Sequence, residues 1–257
     1  MCLIALAWQA RRDLPLLVAA NRDEWRERPT KPAHWWPERP ELLAGRDLQA
    51  GGTWMGITRG GRFAAVTNFR DPSDKRSTAR SRGTLVTEFL LGHDSPARFL
   101  SNLSSRASDY NGFNLILGDG TSLFYFGSRE GQPRAIEPGV HALSNHLLDE
   151  PWPKVVAAQL AMNEALEARD PVPILFDLLS DATRPDDEDL PKTGVGKEWE
   201  RRLAAALITG DDYGTRASSV LAISAAGDVM FEERSRGADG AVVRTVREAF
   251  TIAAVTA

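Results

Sequence analysis

Residues 2–8 read Cys2-Leu3-Ile4-Ala5-Leu6-Ala7-Trp8, and residues 16–24 read Leu16-Leu17-Val18-Ala19-Ala20-Asn21-Arg22-Asp23-Glu24. Two short apolar runs split by a polar stretch containing Pro15 have the pattern of a β-hairpin. Antiparallel pairing of these runs returns residues 21–24 to the level of residue 2. The charged tetrad is therefore expected beside the one cysteine in the chain. Cys2 directly follows Met1, and cysteine is small enough for an initiator methionine to be trimmed. A freed Cys2 would carry a thiol and an α-amine on one residue. These groups titrate near ~8.5 and ~7.7–8.0, so a nucleophile and a base would share one carbon framework at neutral pH. A retained Met1 would cap that amine. The structural alternative is a small apolar residue opening a buried strand.

Outward from the hairpin, an irregular loop is expected from Asn21 to about Glu41, punctuated by Pro29, Pro32, Pro37 and Pro40. Strands follow at Thr53–Thr58 and Phe63–Thr67 around the turn Arg59-Gly60-Gly61-Arg62. Residues 70–82 are charged and serine-rich and read as a mobile surface loop. Ser81 is a candidate cap for a helix to Leu91, and Ser95-Pro96 opens a second helix to about Ser104. Strands return at Phe113–Leu117, Ser122–Phe126 and Val140–Ser144. Helical patterns cover Pro153–Ala168, Ile174–Leu179 and Lys197–Leu207. Strands close the chain at Ser218–Ser224, Val229–Arg234 and about Val242–Ile252. Strands in blocks, then helices in blocks, then strands again differ from βαβ alternation. They predict an α+β fold of antiparallel sheets with helices on the outer faces.

The 257 residues suit one domain spanning 1–257. Hydrophobic residues make up 42% and charged residues 26%, as in ordinary globular proteins. A net charge of −4 argues against a nucleic-acid partner. No apolar run approaches the ~18–20 residues of a spanning helix. The apolar start has no basic segment before it, and Arg11-Arg12-Asp13 closes it early, so no signal peptide is expected. A single cysteine forms no internal disulfide, which fits a reducing, cytoplasmic setting. His34, His93, His141 and His146 show no ligand spacing, and no metal site is expected. Trp25, Trp35, Trp36 and Trp54 cluster early, as loop or core anchors or as the walls of an apolar cleft.

Several ordered motifs accompany Cys2 and the tetrad. They are Gly51-Gly52-Thr53-Trp54-Met55-Gly56, Thr67-Asn68-Phe69-Arg70, Leu143-Ser144-Asn145 with Asp149-Glu150-Pro151-Trp152-Pro153-Lys154, and Gly214-Thr215-Arg216. With these the chain resembles the NRDE family, named for the tetrad and related to the transport-and-Golgi-organization-2 proteins. The resemblance spans residues 1 to about 236. It implies an N-terminal-nucleophile hydrolase fold, a four-layer αββα sandwich of two antiparallel sheets face to face. More distantly, the family is similar to cysteine-type amidases that include penicillin V acylase and bile salt hydrolase.

What that resemblance implies about the site can be placed on this chain. Cys2 would be the nucleophile and its own amine the base, with Asp23 orienting the amine. Arg22 would favour thiolate, and Asn68 and Asn145 would donate to an oxyanion. Arg216 would supply positive charge near the thiol or a substrate carboxylate. Arg22 and Asp23 are adjacent here, whereas the amidases separate the pair by two residues. Neighbours on an extended strand point to opposite sides, so Asn21 or Glu24 stays open for one of these roles. Asp149–Lys154 reads better as the approach to a helix than as a catalytic patch.

Three functions remain open on the sequence. The first is hydrolysis of a linear amide or acyl bond through a Cys2 thioester, with no cofactor required and a small-molecule substrate. The second is binding or trafficking of haem, lipid or acyl-CoA on the same scaffold, with Cys2 or a histidine as a haem ligand. The third is acyl transfer, with an amine in place of water.

Overall fold

A computed structural model describes residues 2–74 and 76–252; for Cys2 the description covers the backbone. The opening hairpin forms as its pattern predicts. Strand β1 (Cys2–Trp8) pairs antiparallel with β2 (Leu16–Trp25) in unbroken register, from Trp8 opposite Leu16 to Cys2 opposite Arg22. β2 runs past the apolar residues and through the whole tetrad, so the tetrad is strand and not loop.

The expected irregular segment 21–41 is a second hairpin, β3 (Thr30–Trp36) and β4 (Arg39–Asp47). Its prolines are compatible with pairing because of where they fall. β3 is the outermost strand of its sheet, and Pro32 lies where the register shifts between Lys31 and His34. Pro37 lies in the turn and Pro29 just before the strand. An edge or bulge position tolerates the missing N–H that a central strand would not.

Then come β5 (Met55–Thr58), β6 (Phe63–Asn68), the helices α1 (Gly83–Leu90) and α2 (Pro96–Ser104), and β7 (Phe113–Gly118), β8 (Leu123–Gly127), β9 (Arg134–Ala135) and β10 (Gly139–Leu143). The remainder is α3 (Pro153–Glu167), α4 (Val172–Leu179), α5 (Lys197–Leu203), β11 (Tyr213–Ile223), β12 (Asp228–Arg236) and β13 (Val242–Thr251). One antiparallel sheet has the order β10-β1-β2-β11-β12-β13, the other β3-β4-β5-β6-β7-β8-β9.

Three cores separate four layers. Ile4, Leu6, Leu16 and Val18 pack between the sheets against Leu43, Ile57, Phe63 and Ile116. Their neighbours Leu3, Ala5, Leu17 and Ala19 face outward beneath α3 and α4, against Val155, Met162, Leu175 and Leu179. On the far side α1 and α2 cover the second sheet through Leu85, Phe89, Phe99 and Leu103. β1 and β2 are therefore buried on both faces, and that is why they read as continuous apolar runs with no alternation. Each buried Leu or Val contributes roughly 1.5–3 kcal/mol. The result is the αββα sandwich of two antiparallel sheets.

Two helix boundaries differ from the sequence pattern. α1 begins at Gly83, and the residue before it makes no side-chain cap. Ser81 serves through its carbonyl, which accepts from the Thr84 N–H and hydroxyl. α5 stops at Leu203 although the pattern continues to Leu207. Tertiary partners take over the groups a longer helix would use. Lys154 Nζ donates to Leu203 O at 2.9 Å, Asn21 Nδ2 to Ala206 O at 2.8 Å, and Leu207 N to Asp181 O at 2.8 Å. Among the described residues, no helix is long and apolar enough to cross a membrane.

Candidate active site

The pairing of β1 with β2 sets Cys2 opposite Arg22. The expected roles of the Cys2 thiol and α-amine fall on atoms outside the described residues, as does Met1. Around that strand end the structure arranges the other expected residues in distinct ways.

The alternation along β2 sorts the tetrad. Ala20 belongs to the core between the sheets and Ala19 to the core beneath the helices, so Arg22 continues the first face and Asn21 and Asp23 the second. Arg22 is buried, with its guanidinium 4.4 Å from the centre of the Trp54 ring. It donates to Thr30 Oγ1 at 3.3 Å and lies 3.6 Å from Glu24 Oε2. Trp54 reaches this position over Gly45, where an added Cβ would sit 2.2 Å from the indole. Asn21, a possible substitute for a site role, has a structural one: its amide nitrogen bridges Leu179 O at 2.9 Å and Ala206 O at 2.8 Å. Glu24, the other substitute, lies near both Arg22 and Arg28 and lines the cleft described below.

Asp23 is 1% exposed and accepts from the Thr215 hydroxyl at 2.7 Å. Burial pushes its carboxyl above the ordinary range, while Lys154, Thr215 and Arg70 pull in the opposite direction. Lys154 lies at the start of α3, buried, with its ammonium on Leu203 O. The segment read as a helix approach thus carries a cation that acts on Asp23. Arg70, also buried, pairs with Glu200 at 2.6 Å. Lys154 sat inside a quoted motif but gave no chemical signal there, and Glu200 had no sequence signal at all.

Asn68 ends β6 and lines the cleft. Asn145 is fully buried in the turn after β10, and its amide donates to Asn68 O at 2.8 Å. The turn is held from the second sheet: Thr67 Oγ1 donates to Ser144 O at 2.8 Å, and Asn114 Nδ2 to His146 O at 2.7 Å. Asn145 adjoins Asn68, therefore, with its amide nitrogen on main chain. Arg216 is the extra residue of a β-bulge, since Thr215 opposes Asp23 and Ala217 opposes Arg22. Its Nη1 donates to the carbonyls of Trp25, Arg26 and Arg28 at 2.8, 3.1 and 3.2 Å. The structure assigns it to the turn that follows β2, and neither Arg216 nor Asn145 is among the residues lining the cleft.

That cleft measures about 370 Å³ and is walled by Arg22, Asp23, Glu24, Trp54 and Asn68 together with the 76–83 segment. The segment expected as a mobile surface loop is here a wall, anchored by Arg76 N on Asn111 Oδ1 at 3.0 Å and Arg82 Nη1 on Gly112 O at 3.1 Å. Among the described residues, five arginines and three carboxylates line the cleft. Gly83, which lines the cleft, lies close against Gly52, where a Cβ on Gly52 would meet the Gly83 carbonyl carbon at 2.5 Å.

Only Trp54 of the early tryptophans lines the cleft. Trp25 packs on Trp199 and Tyr213, Trp35 on Phe250, and Trp36 in the core beneath α1 and α2. The four histidines stand off the cleft lining, and His141 is engaged by Asp149 at 2.7 Å. Among the described residues, no group of three or more His, Cys, Asp or Glu could hold a metal ion.

The family model described as Transport and Golgi organisation 2 matches residues 1–238. The Transport and Golgi organization protein 2 homolog of Bos taurus is 38% identical, with 86% of each chain covered. The Homo sapiens homolog is 37% identical with the same coverage. Among solved structures, a mutant of the conjugated bile acid hydrolase from Clostridium perfringens aligns at TM-score 0.49 and 10% identity, covering 97% of this chain and 92% of that one. A Caenorhabditis elegans ortholog of N-acylethanolamine-hydrolyzing acid amidase aligns at 0.41 and 10% identity, covering 86% and 92%.

Proposed function

The chain belongs to the Transport and Golgi organisation 2 family, and from that premise we propose that it hydrolyses a linear amide or related acyl bond through a thioester on Cys2. The observation that carries this reading is the register placing Cys2 opposite Arg22, where Arg22, Asp23 and Asn68 line one cleft.

The chemistry runs in two steps. After removal of Met1, the Cys2 thiolate attacks the substrate carbonyl carbon, and the α-ammonium protonates the leaving amine. A C–S bond forms and the C–N bond breaks. Water then attacks the thioester, the α-amine takes a proton from it, and the thiolate leaves the carboxylic acid product. Arg22 favours thiolate by charge, with its effect reduced by Glu24. Asp23 orients the amine. The Asn68 side chain donates to the oxyanion, a contribution typically worth ~2.7–4 kcal/mol in the transition state. The excess of arginine over carboxylate in the lining favours a substrate that carries a negative group.

Intact-mass analysis together with a thiol-directed acylating probe tests the proposal. The expected results are a chain that begins at Cys2, probe labelling at that residue, and its loss in Cys2→Ala. Met1 retained in purified, probe-reactive protein rules out the amine as base. Labelling that survives Cys2→Ala rules out the nucleophile.

A further inference from the structure

Glu200 lies on α5, far in sequence from every motif above, yet it is 4% exposed and fully engaged. Its Oε2 accepts from Arg70 Nη1 at 2.6 Å, and its Oε1 accepts from the Thr193 N–H at 2.7 Å and hydroxyl at 2.6 Å. Two buried charges and a loop are thereby locked together. Arg70 continues the contact toward the cleft. Its guanidinium lies 4.8 Å from the centre of the Trp152 ring, and the Arg70 main-chain N–H donates to Asn145 O at 2.7 Å. Asn145 in turn holds Asn68 O at 2.8 Å, and the Phe69 N–H closes the same turn on Gly112 O at 2.9 Å. A continuous run of short bonds therefore joins α5 to the backbone of Asn68.

We propose that Glu200 is a positioning residue: through Arg70 and Asn145 it fixes the 68–70 turn and so aims the Asn68 side chain into the cleft. This inference rests on the hydrolase reading for the use of Asn68, but the geometry stands apart from it. Three features favour positioning over bulk stability. Neither Arg70 nor Glu200 lines the cleft. Burying an ion pair is a poor route to stability, since apolar residues of similar volume do as well or better. The pair also links α5 to the segment that ends β6, and its directional bonds set an angle there that packing alone would leave loose. A misplacement of about 1 Å at a reacting centre costs on the order of 100-fold in rate.

The experiment compares Glu200→Gln with wild type by two readouts. Hydrogen exchange of the Phe69 and Arg70 amides is expected to accelerate at least tenfold while the core strands stay protected. The rate of acylation at Cys2 is expected to fall about 10–100-fold, with a similar loss in Asn68→Ala and no further loss when the two are combined. Unchanged exchange at residues 69 and 70 overturns the proposal, and so do losses that simply add in the double variant. Should Glu200→Gln fail to fold, Arg70→Met with Glu200→Met retains the buried volume and gives the same readouts. If wild type shows no acylation, the hydrolase reading fails, and the exchange data still decide the role of Glu200.

Discussion

Arg22 illustrates how much one side chain is asked to do at this site. It faces the space between the sheets, stacks on Trp54, reaches Thr30 of β3 and lies near Glu24. Its guanidinium is planar, and a lysine would match neither the stack nor the fork of donors. In the proposed mechanism its charge favours thiolate at Cys2, the residue opposite it in the hairpin. Arg22→Gln is expected to move the pH midpoint of Cys2 alkylation upward and to slow alkylation at neutral pH about tenfold, the size of a one-unit shift. Iodoacetamide rates across pH measure this, and a superimposable profile would remove Arg22 from the mechanism. The adjacency of Arg22 and Asp23 suggested that the two diverge, and they do: Asp23 meets Thr215 on the far face of the strand. Both still touch one cleft because it lies at the strand end, where the two faces meet.

At the scale of elements, the tetrad is the last part of β2, and its first residue fastens that strand to the helical layer. Asn21 supplies both protons of its amide to carbonyls left open at the end of α4 and after α5. Asn21→Leu leaves Leu179 O and Ala206 O buried without that donor. The expected cost is about 2–4 kcal/mol in urea unfolding, from two lost acceptor bonds at ~1–2 kcal/mol each. A loss below half of that would show that the carbonyls find other partners. The same carbonyls explain why helical periodicity at 197–207 overstated α5. Periodicity reports which residues are buried, and residues 204–208 are buried, but against β2 and β11 in a non-helical path. The strand at 30–36 escaped notice for the opposite reason. Pro32 and the exposed Lys31 mark an edge strand as readily as a loop, and only its pairing with β4 separates the two.

Across the whole molecule, the two sheets meet mainly through apolar residues, and Glu233 of β12 sets a buried carboxyl in the interface. Its Oε1 accepts from the Ala33 N–H of β3 at 2.7 Å, and its Oε2 is 3.5 Å from Ser219 Oγ. Burial pushes the carboxyl up to about 7, partly offset by the Ala33 N–H and by Arg22. Its folded value is above its unfolded one, so its stabilising contribution is complete below about pH 4.5 and is lost as pH rises through about 7. Glu233→Gln keeps an oxygen for Ala33 and removes the titration. The variant is expected to match wild type near pH 4.5 and to exceed it at pH 8, by up to about 3 kcal/mol. Urea unfolding at the two pH values measures the difference, and an equal offset at both would show that the charge at Glu233 is not involved.

The sequence alone determined the opening hairpin, the layering of strands and helices, and the family, because these depend on local patterns: apolar runs, turn residues and motifs in order. It also placed Arg22 and Asp23 beside Cys2, since pairing register follows from alternation and loop length, whereas Asn68 was assigned to the site through the family resemblance alone. The tertiary structure decided which of the expected residues line the cleft. It set Asn145 on the main chain of Asn68, Arg216 on the turn after β2, and Lys154, Arg70 and Glu200 behind Asp23. Those placements join residues far apart in the chain, 77 positions for Asn145 and Asn68 and 191 for Arg216 and Trp25, through hydrogen bonds and buried charge, and such partners are fixed by packing in three dimensions and leave no periodic trace along the chain.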